Sequence, residues 1–249
     1  MRWRQILLVF AFSTLCLSAC ASAGVGDDND ANYPEVGSEW VENYVWPSGP
    51  NPYGAEDAQG FARTLRNDGG WNWPIDYGND SAEYYHWEWA DDDSYADSVD
   101  AMYFSGHASS EYIKLATFPD NWAYFEVCSW GDYDLEWIFL HGCESTHAPS
   151  NFKGYPRWAL NGAHLICGFD TSSYNYAEDG TNVASTLLSG IKVRPAWFVG
   201  VDVMQPSDVR VRIIGEDSTM GDDFIWKEGT VKPDPIVDSS IYSWLYYCN

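Results

Sequence analysis

Positive charge is scarce in this chain. Only 13 Lys and Arg stand against 37 Asp and Glu, giving a formal charge of −24 over 249 residues. A surface of that sign repels phosphate, so nucleic-acid binding through backbone neutralisation is excluded and anionic membrane surfaces are disfavoured. Apolar runs of membrane-spanning length are missing as well. Ile6 to Leu17 is twelve residues long and broken by Ser13 and Thr14, against the roughly 20 residues that a spanning helix needs. No internal repeat is found and no second change of composition follows Glu39, so a solenoid is excluded and one domain is expected. What the chain has in quantity is aromatic side chains. With 14 Trp, 17 Tyr and 11 Phe its hydrophobic share reaches 45%, enough for one large packed core.

The amino terminus carries an address. Arg2 and Arg4 precede the apolar run, which ends in Leu17-Ser18-Ala19-Cys20. The pattern is that of a secretory signal over residues 1–19, and its last residues resemble the lipobox of prokaryotic lipoproteins. The resemblance implies cleavage before Cys20, lipid on its thiol, and a mature chain held to a membrane outside the cytoplasm by that anchor alone. An ordinary cleavage site at Ala19 or Ala23 is the alternative. Residues 20–37, whose stretch Gly24 to Gly37 is rich in Gly, Asp, Asn and Pro, read as a flexible tether. Residues 38–249 then form the folded domain.

Within that domain Ser38 to Trp46 suits a strand and Ala55 to Arg66 a helix stopped by Asn67-Asp68-Gly69-Gly70. Asp76 to Asp93 is polar, aromatic and acidic and fits no element, with a long surface loop or an insertion as the plain alternative. Three compact apolar runs follow: Ser98 to Ser105, Leu135 to Leu140 and Ala163 to Phe169. Tyr155 to Asn161 and Asp179 to Ser189 supply short helical patterns around the third. Buried runs of this length alternating with helices predict an α/β fold with a mainly parallel sheet. Val209 to Ile214 alternates apolar residues with Arg and predicts a one-sided strand near the sheet edge, with Ala196 to Met204 before it helical or extended.

Two of the buried runs stop at chemistry. Ser98 to Ser105 leads into Gly106-His107, and Leu135 to Leu140 into His141-Gly142-Cys143. The crevice outside the carboxyl ends of parallel strands is where loops converge on a rigid frame, so a site is expected there. An imidazole beside a thiol can take its proton, and amides of glycine turns can face a developing oxyanion; Gly106 and Gly142 are expected to supply that turn freedom. The structural alternative is that His107 is a hydrogen-bonded turn residue and Cys143 a small buried one.

The segments Asp100 to Ser109 (DAMYFSGHAS) and Trp137 to Ser145 (WIFLHGCES) resemble the strand-plus-His and strand-plus-Cys segments of caspase-like cysteine peptidases, in the family's order, and Ala159 to Phe169 (ALNGAHLICGF) is similar to the segment that follows the Cys. The likeness covers about residues 98–189. It implies a three-layer α/β/α sandwich, His107 as general base and Cys143 as nucleophile, acting as an endopeptidase on protein or peptide. One departure is that Gly106 precedes His107 where the family places the Gly after its His. The likeness also implies a specificity pocket lined just after the third run, where Asp170 stands. A free carboxylate there would select Arg or Lys, and a basic peptide would be drawn by the net charge. Asp170 as a cap on backbone amides is the alternative.

Neither a cofactor nor a metal is expected. His141, His147, His164 and Cys167 lack the short spacing of closed zinc sites, and His164 and Cys167 are expected on opposite faces of a strand. The even set Cys128, Cys143, Cys167 and Cys248 allows two disulfides in an oxidising compartment. If Cys143 stays free, Cys128 with Cys248 is the expected bridge. A second functional class fits the same composition: a catalytically silent binding module using its aromatic surface, with Trp71 to Pro74 or Tyr84 to Trp87 as the places for a sugar platform.

Overall fold

The computed structural model describes residues 32–44, 48–115, 121–148, 155–237 and 240–249. Cys20, the signal and most of the expected tether lie outside them. In chain order the regular elements are β1 (Glu35–Trp40), α1 (Gly54–Gly69), β2 (Asn72–Gly78), β3 (Ala101–Ser105), β4 (Tyr112–Lys114), β5 (Trp122–Tyr124), β6 (Trp137–His141), β7 (Leu165–Phe169), α2 (Asp179–Leu187), α3 (Val193–Asp202), β8 (Arg210–Gly215) and β9 (Tyr242–Tyr247). Strand β1 begins within the expected tether, because Val36 is wholly buried; the folded domain therefore starts ahead of residue 38.

Seven strands form one sheet in the order β2-β1-β3-β6-β7-β8-β9. The first five pair in parallel, and β8 pairs antiparallel with both β7 and β9. The fold is thus α/β with a mostly parallel central sheet, as the buried runs predict. Every residue of β3, β6 and β7 is buried, which is what a strand covered on both faces requires and why these three read as continuous apolar runs.

The two faces are covered differently. Helices α1, α2 and α3 supply Phe61, Leu65, Val183, Leu187 and Trp197 to one core, packed on Tyr103, Phe139, Cys167 and Phe169 of the sheet. Apolar positions in α1 at 58, 61, 62 and 65 fall on one stripe, and Gly70 closes it in the left-handed conformation with its N–H on the Leu65 carbonyl. The opposite core holds Trp87, Phe104, Phe125, Trp130 and Ile138. It is roofed by short 3-10 turns and the β4-β5 hairpin rather than by long helices. The stretch 76–93 is part of this roof: it begins in β2 and contributes the buried Trp87. Expected helix 155–161 is only a 3-10 turn, Tyr155–Trp158.

All four described cysteines are free. Cys128 belongs to the roofed core and Cys248 to the helical core, so the sheet stands between them and the expected bridge does not form.

Candidate active site

Strand order reverses between β1 and β3. From β1 the chain runs through α1 to β2 at one edge; from β3 it runs the other way, over the opposite face, to β6. Loops at the carboxyl ends of β1 and β3 therefore leave the sheet in different directions. His107 follows β3 at that point. The loop after β1 closes on it: the His107 amide donates to the Tyr44 hydroxyl at 2.7 Å, the two rings lie 4.3 Å apart, and His107 Nε2 is 2.7 Å from the Gly49 carbonyl. Tyr44 in turn donates to the Lys114 carbonyl at 2.9 Å, and burial pushes its phenol pKa up. Because a carbonyl only accepts, Nε2 carries a proton, and Nδ1 is the ring nitrogen left without a described partner.

Cys143 stands one strand over, two residues past β6. The register Ser105↔His141 brings the two turns side by side, and the Gly106 amide donates to the His141 carbonyl at 3.0 Å. Gly106 and Gly142 serve this approach, but not through the turn freedom expected of them, since the positive-φ glycines lie at 70, 131, 162 and 190. What they contribute is the missing side chain. A Cβ on Gly142 would stand 2.7 Å from the Gly106 carbonyl and 2.6 Å from Ala108 Cβ, and one on Gly106 would run into Tyr44 and Phe104. Left-handed backbone falls instead on Glu144 (φ 56°), a strained position for a non-glycine residue directly after the thiol.

Both side chains reach solvent in part. The thiol contacts the Ser173 carbonyl at 3.6 Å and the Ser173 hydroxyl at 4.0 Å. Among the described residues no hydrogen bond joins His107 to Cys143, and the amides of Ala108 and Cys143 donate to no acceptor.

Beneath the thiol lies a polar cluster that sequence reading misses. His141 is buried between two acids: Nδ1 is 2.6 Å from Asp57 of α1, and Nε2 is 3.0 Å from the Tyr174 carbonyl and 3.6 Å from Asp179 of α2. Both ring nitrogens face acceptors, so the ring is an imidazolium. Burial opposes that charge, yet Asp57 and Asp179 overcome it and hold the pKa at about 9. Asp57 also accepts from the Tyr103 hydroxyl at 2.9 Å and the Gly180 amide at 2.7 Å; Gln205 bridges Asp179 and the Tyr174 carbonyl. The cluster ties α1, α2, β3 and the loop carrying Ser173 to the residue two places before Cys143. With both nitrogens occupied, His141 is no metal ligand.

Asp170 is placed differently from expectation. Its buried carboxylate pairs with Arg212 at 2.7 Å and Arg210 at 3.1 Å, with His147 3.3 Å away. The antiparallel register of β8 against β7 brings both arginines alongside, so the charge that a pocket for Arg or Lys requires is already neutralised within the fold. His164 sits just ahead of β7 rather than in it and is fixed by Asp223 at 2.7 Å, so strand alternation does not set its face against Cys167. Trp71 and Trp87 are buried in the two cores, and the Trp73 indole donates to Ser38, so of the two aromatic stretches Tyr84 is the exposed ring, with Tyr85 and Trp73 half-buried.

No curated protein matches the chain. Residues 38–248, nearly the whole described domain, match the family described as Domain of unknown function (DUF6345), and the chain belongs to that family.

Proposed function

We propose that the chain is a cysteine hydrolase of the endopeptidase type, with Cys143 as nucleophile and His107 as general base. One observation carries this reading: a part-exposed thiol and a part-exposed imidazole, held through Nε2 by the Gly49 carbonyl, end adjoining parallel strands at the strand-order reversal. In the reaction the Cys143 thiol gives its proton to His107 Nδ1 and the thiolate forms a C–S bond to the substrate carbonyl carbon. The Ala108 and Cys143 amides stabilise the resulting oxyanion. Its collapse breaks the C–N bond as the amine takes the proton from His107, and water, deprotonated by the same imidazole, hydrolyses the thioester. His141 acts through the backbone as a positioning residue. A preference for basic peptides now rests on the net charge alone, since Asp170 is paired.

A thiol-reactive peptide probe at pH 7, mapped by mass spectrometry, tests this. Cys143 is expected to be labelled, whereas Cys128 and Cys167, whose thiol pKa values burial raises well above the ordinary value, are expected to stay unmodified. A free thiol is only a few per cent thiolate at this pH, so His107→Ala is expected to slow labelling at least about tenfold. Equal rates in a folded His107→Ala variant would refute the pair and leave the binding module as the better account.

The lipid anchor is part of the same proposal. Cys20→Ser is expected to move the chain from membrane to soluble fractions, because one lipidated residue supplies all its membrane affinity. Unchanged fractionation would remove the anchor without touching the catalytic reading.

A further inference from the structure

Beside His107 the chain builds a small antiparallel ribbon. Ala108 bridges Ile113, the Lys114 amide donates to the His107 carbonyl at 2.8 Å and the Ser109 amide to the Tyr112 carbonyl at 2.9 Å, so residues 107–109 pair with β4. Strand β4 pairs in turn with β5, with Tyr112 opposite Tyr124 and Lys114 opposite Trp122. Residues opposite one another in a ladder share a face, and successive residues alternate between faces. Ala108, Ile113 and Ala123 therefore form the inner face, which packs on the roofed core. His107, Lys114, Tyr112, Trp122 and Tyr124 fall on the outer one.

The ring contacts agree with this placement. The Tyr112 and Trp122 rings stack at 4.6 Å with 10° between their planes, and Tyr124 meets them edge-on at 5.6 and 5.9 Å. The His107 ring and the Lys114 ammonium both lie against the Tyr44 ring, at 4.3 and 5.6 Å. The three aromatic residues of the ribbon stay half-buried, although the core beneath them is closed by Ile113 and Ala123. Among the described residues no acid stands on this face. The Lys114 ammonium is spent on the Ser48 hydroxyl and the Tyr44 ring.

Resting on the catalytic pair proposed above, we propose that this aromatic face is a subsite for an aromatic side chain of the peptide, about three residues on the carboxyl side of the cleaved bond. The segment that carries His107 has Gly142 on one flank, where an added Cβ would meet the Ala108 amide nitrogen at 3.2 Å, and β4 on the other. The ribbon thus extends from His107 away from Cys143. The leaving amine takes its proton from His107, so the leaving half of the peptide runs toward this side. Two strand spacings of about 4.8 Å separate residues 107–109 from β5, and an extended peptide covers that span with about three residues of roughly 3.3 Å each. Charge decides what the occupant is. A basic side chain finds a lysine and no acid here, an acidic one meets the net charge of −24, and a neutral ring stacks on the rings already present.

Digestion of a proteome-derived peptide library by the full-length chain, with the cut sites mapped by mass spectrometry, tests the subsite. Within one residue of the third position after the cut, Phe, Tyr and Trp are expected at least about threefold above their frequency in the library. Trp122→Ala and Tyr112→Ser are each expected to erase that enrichment without changing the residues selected before the cut, and Trp122→Phe to keep it. Iodoacetamide labelling of Cys143 at the wild-type rate shows that each variant is folded around an intact pair. Tyr242→Ser, exposed in β9 at the far edge of the sheet, is expected to leave the enrichment unchanged. Cutting without aromatic enrichment, or enrichment that survives both Trp122→Ala and Tyr112→Ser, would overturn the subsite and leave the cysteine hydrolase standing, with the three rings serving only to hold the hairpin together. Absence of cutting by the wild-type chain would overturn the hydrolase and the subsite with it.

Discussion

Asp57→Ala is expected to cost about 3–5 kcal/mol of unfolding free energy, the range for stripping one partner from a buried ion pair. The carboxylate it removes accepts from the His141 ring, the Tyr103 hydroxyl and the Gly180 amide at once. Truncation leaves three buried donors without an acceptor, one of them cationic, and an unpaired buried donor alone costs about 1–3 kcal/mol. Asp179 remains near His141, but at 3.6 Å and already engaged by Gln205. For a domain of this size the loss corresponds to a fall in Tm of about 10 °C. Urea unfolding followed by tryptophan fluorescence measures it, and a loss below about 1 kcal/mol would show that the cluster is not a strut. Asp57→Asn keeps an acceptor for both Tyr103 and Gly180, which donate to the same oxygen, but loses the counter-charge facing His141, so it should fall between wild type and Asp57→Ala. Because Gly142 and Cys143 follow His141 directly, the two variants should also slow thiol labelling in the order of their destabilisation.

That cluster also marks where sequence reasoning stops. The strands β3, β6 and β7 are legible because residues buried on both faces leave an unbroken apolar run, and His107 and Cys143 are legible because they stand where such runs end. Asp57 is not: it lies in the first turn of α1, where an acid has the local reason of complementing the helix amino terminus, and its partner His141 is 84 residues away. Strand β2 is hidden by Pro74, tolerated because β2 is an edge strand. Strand β1 is read too late because its buried positions on the two faces include Ser38 and Glu39, whose polar groups are satisfied by distant Asp76, His86 and Trp87. The misplacing of Asp170 has the same origin. The alternation of Arg210 and Arg212 was visible, but only the pairing of β8 with β7 shows that their charge is spent on Asp170 rather than on solvent.

Stability is expected to be greatest in mild acid and to fall steadily from about pH 5 to pH 9, the reverse of the usual acid sensitivity of proteins. Burial raises Asp97 and Asp100 to about 8 and Asp92 and Asp179 to about 7. It pushes Glu39 and Glu136 upward as well. A carboxyl whose pKa is higher in the fold than near 4 in the unfolded chain binds its proton more tightly when folded. Its contribution is complete in acid and is lost as pH climbs to the folded value, at up to about 1.4 kcal/mol per pH unit for each group. His141 works in the same direction, since its stabilisation as an imidazolium on Asp57 is fully present below its unfolded pKa of 6.5 and lost as pH passes about 9. The growing net negative charge adds repulsion over the same range. Thermal unfolding in EDTA at constant ionic strength across this range checks the sign, and an optimum near pH 8 would contradict it. Asp100→Asn isolates one contributor: the Asn side-chain oxygen can still accept from the Glu35 amide, as Asp100 Oδ2 does, while the buried charge disappears. It should be close to neutral at pH 5 and stabilising at pH 9, and equal Tm shifts at both values would show that Asp100 is ionised throughout.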